Sequence, residues 1–177
     1  MISHSKKFIH IHIPHTAGTS ISCALRKYED ENTSHDSLKK ILIGKDSHVF
    51  YEYFIFAFIR NTYDRLVGLW SFDINRHPEK LDWSFYKWLT TDCKYLKTQL
   101  SYVSVGGQVA ATLYNFENLY EDWKTLTNKL DIDVPLGQAV QGVRGPYHKY
   151  IDTKTRVLIN DIFRDDIGFF NHKFEVL

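Results

Sequence analysis

The stretch FIHIHIPHTAGTSISCAL, residues 8–25, concentrates side chains that bind anions and move protons. His10, His12 and His15 come first, then Thr16, Ala17 and Gly18, and then the hydroxyls of Thr19 and Ser20. An apolar run with strand character stops at Pro14, and a helix is expected to open near Thr19 or Ser20. A strand, a tight turn and a helix N-terminus make an anion site, because the first N–H groups and the helix dipole point at the ligand. Gly18 lets the backbone come close, and Thr19 and Ser20 can donate hydroxyl bonds. The loop lacks the G-x-x-x-x-G-K-[ST] pattern of nucleoside-triphosphate loops. Taken alone it also describes an ordinary strand-to-helix turn capped by Thr19.

A second stretch, FAFIRNTYDRLVGLWSF at residues 56–72, places Arg60 at the end of an apolar strand with a helix directly after it. In an open parallel sheet the carboxyl ends of the strands form the ligand edge. A guanidinium at that edge can grip a phosphate through two parallel hydrogen bonds. The plainer alternative is that Arg60 and Arg65 pair with Asp64 or Asp73 on the surface.

The remaining reactive residues point to less. His10 and His12 alternate with isoleucines, so they are expected on one face of the first strand as packed, hydrogen-bonded groups. No carboxylate or third ligand stands near them, so no metal site is expected. Cys23 and Cys93 fall in separate expected helices without a CxxC spacing and read as two buried thiols. Trp83, Phe85, Tyr86 and Trp88 in DWSFYKWL read as a core stripe or a sugar-stacking face.

The elements that must hold these residues alternate. Residues 7–13 and 51–59 read as buried strands, the first central and parallel, and residues 109–116 as a third. Helices are expected over residues 19–28, 38–42, 61–75, 82–89 and 117–130. One last helix is expected over residues 152–170, with Asp152 as its cap. Residues 131–149 read as loop. The pattern is that of an α/β protein, with no repeat, low-complexity segment or domain boundary.

With 177 residues the chain has the length of one domain, residues 1–177. Hydrophobic residues at 44% and aromatics at 15% favour a folded globule over a disordered chain. A net charge of +1 gives no field of the kind that gathers nucleic acid. No apolar run is long enough for a membrane span, and MISHSKK lacks a signal-peptide pattern, so a soluble cytoplasmic protein is expected.

HIPHTAGTS and FAFIRNTYDRLVGLWSF together resemble two ligand motifs of the carbohydrate-type sulfotransferases that use 3′-phosphoadenosine-5′-phosphosulfate (PAPS), heparan-2-O-sulfotransferase-like and bacterial forms included. The first is similar to the 5′-phosphosulfate loop, usually HIPKTAGTS, and the second to the 3′-phosphate element, usually FxFVRNPYDRLVSLY. FENLYEDW and YHKYIDTKTRVLINDIFRDDIGFF resemble the family's later strand-helix and closing helix, so the likeness runs nearly the whole chain. It implies a P-loop-like three-layer α/β fold with a central, mainly parallel sheet flanked by helices. It implies sulfuryl transfer from PAPS to a hydroxyl of a carbohydrate or small molecule, by a monomer or homodimer, with no metal. Carried onto this sequence, Thr16, Ala17, Gly18, Thr19 and Ser20 would cradle the 5′-phosphosulfate. Arg60 would hold the 3′-phosphate, with Arg144 adding a second positive group. The family's histidine between the two motifs corresponds to His35 or His48. His35 in NTSHDSLKKIL fits better as the base.

Two positions depart from the pattern. The loop lysine, which stabilises charge on the leaving phosphate, is His15 here, and it serves the same end only when protonated. The serine on the 3′-phosphate is Gly68, with Ser71 one helical turn away. These changes leave three readings: an active sulfotransferase with His15 in the lysine's place, a nucleotide-binding relative without efficient transfer, or a protein turned to another phosphorylated ligand. A P-loop kinase would need a lysine beside the loop hydroxyl and a Mg²⁺-binding aspartate after a strand, and neither is visible.

Overall fold

A computed structural model of the chain describes residues 1–43, 50–92, 96–137 and 145–175. His48, Cys93 and Arg144 lie outside the described residues. The elements in chain order begin with β1 (Ile2–Ser3), β2 (Phe8–Ile11), α1 (Gly18–Leu25), α2 (Leu38–Leu42), β3 (Phe54–Ile59) and α3 (Thr62–Arg76). They continue with α4 (Phe85–Thr91), α5 (Gln99–Val103), β4 (Ser104–Val105), β5 (Gln108–Val109), β6 (Thr112–Asn115), α6 (Leu119–Leu130), α7 (Thr153–Ile162) and α8 (Arg164–Phe169). The architecture is mixed α/β, and no helix among the described residues is long and apolar enough to cross a membrane.

Two compact units divide the chain: Met1–Arg60 with Gln99–Val140, and Asn61–Thr98 with Gln141–Leu177. The first carries a four-stranded sheet in the order β1-β2-β3-β6. β1 runs antiparallel to β2, whereas β2–β3 and β3–β6 are parallel. All four residues of β2 are buried, which is why its sequence reads as a continuous apolar run rather than an alternation. Side chains two apart share a face. On one face Phe8 and Phe56 lie 5.8 Å apart, with Phe58 stacked on Tyr114 beyond them. Ile21 and Leu25 of α1 and Leu119, Trp123, Leu126 and Leu130 of α6 cover that face. Each such side chain removed from water contributes about 1.5–3 kcal/mol, so this core fixes the strand register. The third strand is shorter than expected: Val109 pairs in the separate hairpin of β4 and β5, and Phe116 already opens a 3-10 turn. Gly106 and Gly107, both at positive φ, make the hairpin's two-residue turn.

The second unit packs Tyr63, Leu66 and Val67 of α3 against Phe85, Trp88 and Leu89 of α4 and against Ile159 and Phe163. Phe85 and Trp88 are 3% exposed, so the aromatic stripe is core at those positions. Asp152 caps α7, its Oδ1 accepting from the Thr155 N–H at 2.7 Å as the sequence suggests. The single closing helix expected over residues 152–170 is two helices. Phe163 leaves helical geometry with φ −111° and ψ 26°, and its ring is fully buried in this core.

Candidate functional site

Three parallel strands of the first unit end at one carboxyl edge: β2 before His12, β3 before Arg60, and β6 before Phe116. The turn after β2 is sharp. His15 and Ala17 are both left-handed, with φ of 66° and 65°, a conformation that costs a non-glycine residue on the order of 1 kcal/mol or more. Between them Thr16 is 1% exposed, and its hydroxyl donates to the Ile13 carbonyl at 3.0 Å, so it ties the turn together from inside. Ala17, rather than Thr19 or Ser20, occupies the cap position of α1, and no side chain caps the helix. Thr19 is exposed in the first turn and Ser20 half-buried.

Gly18 opens α1, and a Cβ there would stand 1.9 Å from Cδ2 and 2.2 Å from Nε2 of His12. The imidazole of His12 therefore lies directly against the helix start, and only a hydrogen fits between. His12 also meets His35, with ring centroids 4.3 Å apart and planes tilted by 57°. The His12 carbonyl is 3.4 Å from His35 Nδ1. A carbonyl only accepts, so the contact places the proton of neutral His35 on Nδ1 and leaves Nε2 as the acceptor. His35 is exposed.

His10 continues this column into the core. Its ring stacks 5.1 Å from Phe56 and 6.0 Å from His12. The expectation that His10 is hydrogen-bonded fails: it is 1% exposed, and its Nδ1 has no partner among the described residues. It lies directly opposite Phe56 in the β2–β3 register, so the rings of Phe56 and His12 stack against it. Burial, and then the neighbouring imidazole of His12, hold His10 well below the ordinary 6.5. Burial likewise pushes His12 down to about 4, with His35 and His15 adding to the effect. Both rings are neutral at physiological pH.

Arg60 is held from several directions. The fully buried Gln99 forms a reciprocal pair with its backbone, accepting from the Arg60 N–H at 2.9 Å and donating to the Arg60 carbonyl at 2.8 Å. The guanidinium donates from Nη1 to the His15 carbonyl at 3.2 Å and lies 4.0 Å from the centre of the Phe116 ring. Of the surface pairings that the sequence leaves open for Arg60 and Arg65, Asp73 pairs with Lys80 at 2.9 Å, and Arg65 is 1% exposed and so not a surface group.

His15, residues 16–20, His35 and Arg60 thus share the first unit, with Arg60 bonded to the turn. Gly68 and Ser71 lie in α3 of the second unit, and Arg144 falls outside the described residues. Gln99 and Phe116 were not anticipated. Gln99 stands 39 residues from its partner and leaves no local signal, whereas Phe116 could be found as the last residue of the third strand expected over residues 109–116. Cys23 is exposed, contrary to the expected buried thiol. α1 buries Ile21 and Leu25, one helical turn apart, and Cys23 lies between them on the other side. No group of three or more His, Cys, Asp or Glu side chains among the described residues could hold a metal ion. Two shallow depressions lie elsewhere, one at the amino edge of the sheet between Lys7, Phe54 and Lys129 and one around Thr127 and Asp131. Against known proteins, no family model, curated protein or solved structure matches this chain.

Proposed function

We propose that the chain is a PAPS-dependent sulfotransferase on a P-loop-like α/β fold, transferring a sulfuryl group to a hydroxyl of a carbohydrate or related acceptor. The supporting observation is the bond from the Arg60 guanidinium to the His15 carbonyl, 3.2 Å long, which joins a cation to a strained turn at one strand edge. Left-handed turns bring successive backbone N–H groups toward an anion, and strain of this kind collects at ligand sites. A guanidinium has five donors, enough for one arginine to hold the turn and grip a phosphate.

Each residue then has a task. Backbone N–H groups at the start of α1 take the 5′-phosphosulfate, and Arg60 takes the 3′-phosphate. PAPS supplies a sulfur whose bond to the phosphate oxygen breaks as the acceptor oxygen bonds to it. His35 Nε2 takes the acceptor's hydroxyl proton. Protonated His15 steadies the charge that collects on the departing phosphate. A binder that does not turn over is the second reading, favoured by the histidine in place of the loop lysine.

Calorimetry tests the binding half. Adenosine-3′,5′-bisphosphate should bind at least tenfold more tightly than ATP, and Arg60→Ala should weaken it about 100-fold, about 2.7 kcal/mol. Equal affinity for the two nucleotides, or none for either, would sink the proposal. Transfer of labelled sulfate from PAPS to a glycan panel then separates the enzyme from the binder.

A further inference from the structure

We propose that His12 is a positioning residue for His35: its ring and its carbonyl together decide which nitrogen of His35 is left open as a base. This deepens the sulfotransferase reading and rests on it for the role of His35. The observations are the ones that trap the two rings. His12 is wedged against Gly18, where a Cβ would stand 1.9 Å from its Cδ2. Its ring also packs on His35, with centroids 4.3 Å apart, and its carbonyl faces His35 Nδ1 at 3.4 Å. An exposed histidine otherwise samples several rotamers and both tautomers, and a long hydrogen bond alone restrains it weakly. The flat ring of His12 supplies the missing restraint, because rotation of the His35 ring away from the carbonyl would break the ring contact as well. The wedge also ties the base to the phosphate turn, since Gly18 begins the helix whose N–H groups would face the phosphosulfate. His12 suits this task because burial keeps it neutral. A charged neighbour would oppose each proton that arrives on His35.

Long-range ¹H–¹⁵N NMR of ¹⁵N-histidine-labelled protein at pH 8 reads the two nitrogens of His35 without any ligand. In the unmodified protein Nδ1 should carry the proton and Nε2 should not. His12→Phe keeps a flat ring and should keep that pattern, with kcat within threefold. His12→Ala should drift toward a mixture of both tautomers and lose tenfold or more in kcat, while the Kd for adenosine-3′,5′-bisphosphate changes less than threefold. If His12→Ala does not fold, His12→Leu fills the space without a flat ring and carries the same expectation. Unchanged His35 signals in these variants, or a proton on Nε2 in the unmodified protein, would overturn the proposal. Absence of bisphosphate binding in the unmodified protein would instead overturn the sulfotransferase reading, and the NMR comparison would still decide whether His12 sets His35.

Discussion

The arginine side and the histidine side of this strand edge are held by different forces. Arg60 is fixed by directional bonds, among them the reciprocal pair between its backbone and the Gln99 amide and the bond its guanidinium donates to the His15 carbonyl, with Phe116 beneath the guanidinium. His10 and His12 are fixed by packing, ring against ring and ring against Gly18. Hydrogen bonds tolerate small movements but not loss of a partner, because a buried group left without one costs about 1–3 kcal/mol. Close packing tolerates loss of polarity but not added volume. The two sides should therefore fail under different insults.

The largest expected difference comes with acid. His10 and His12 have native pKa values below the ordinary 6.5, His12 at about 4, and in the second unit burial pushes His172 down to about 4 as well. As the pH falls below 6.5 the unfolded chain takes up protons that the native rings refuse. Their contribution is complete above 6.5 and is lost as the pH falls to about 4. Each ring contributes a slope approaching ~1.4 kcal/mol per pH unit. Urea unfolding should record a loss on the order of 4 kcal/mol between neutral pH and pH 4.5, allowing for solvent at the half-buried rings. His10→Phe and His12→Phe should each flatten the slope, while changes on the arginine side should leave it alone. A flat profile in the unmodified protein would show that the histidine column is more open to water than its packing indicates.

The next largest effect isolates the arginine side. Gln99→Leu fills nearly the same volume but removes both bonds to the backbone of Arg60. A loss of about 3 kcal/mol is expected by urea unfolding at pH 7.5, with no change in pH slope. If the loss stays below about 1 kcal/mol, water replaces the amide there and Arg60 is held mainly by Phe116 and His15.

Legibility followed the same division between local and distant causes. β2 and β3 were readable because strands buried on both sides carry continuous apolar runs. Asp152 was readable because a cap acts within three residues. The exposure of Cys23 is legible too, since the one-turn spacing of Ile21 and Leu25 sets the buried face of α1 and leaves Cys23 off it. Arg60 was legible as a strand-end cation, but Gln99 was not, since a contact across 39 residues has no local signature. Gly18 has a second use beside the room for a ligand that the sequence offers: the fold seats the His12 ring where its Cβ would stand.

Gly18→Ala is the smallest of these perturbations and separates the two uses of the glycine. No positive φ is needed at Gly18, and alanine is the better helix former by about 1 kcal/mol, so on backbone grounds the change should stabilise. The clash with His12 reverses the sign, and a net loss of about 2 kcal/mol is expected. Removing the ring removes the clash: in a His12→Ala background the same Gly18→Ala step should cost nothing or stabilise, a coupling of about 2 kcal/mol in the double-mutant cycle. Calorimetry on the same four proteins adds the functional half. If bisphosphate affinity recovers along with stability in the double variant, Gly18 serves only to seat His12. If stability recovers but affinity stays low, the missing Cβ is needed by the anion itself, and the turn is a phosphate site on grounds independent of Arg60.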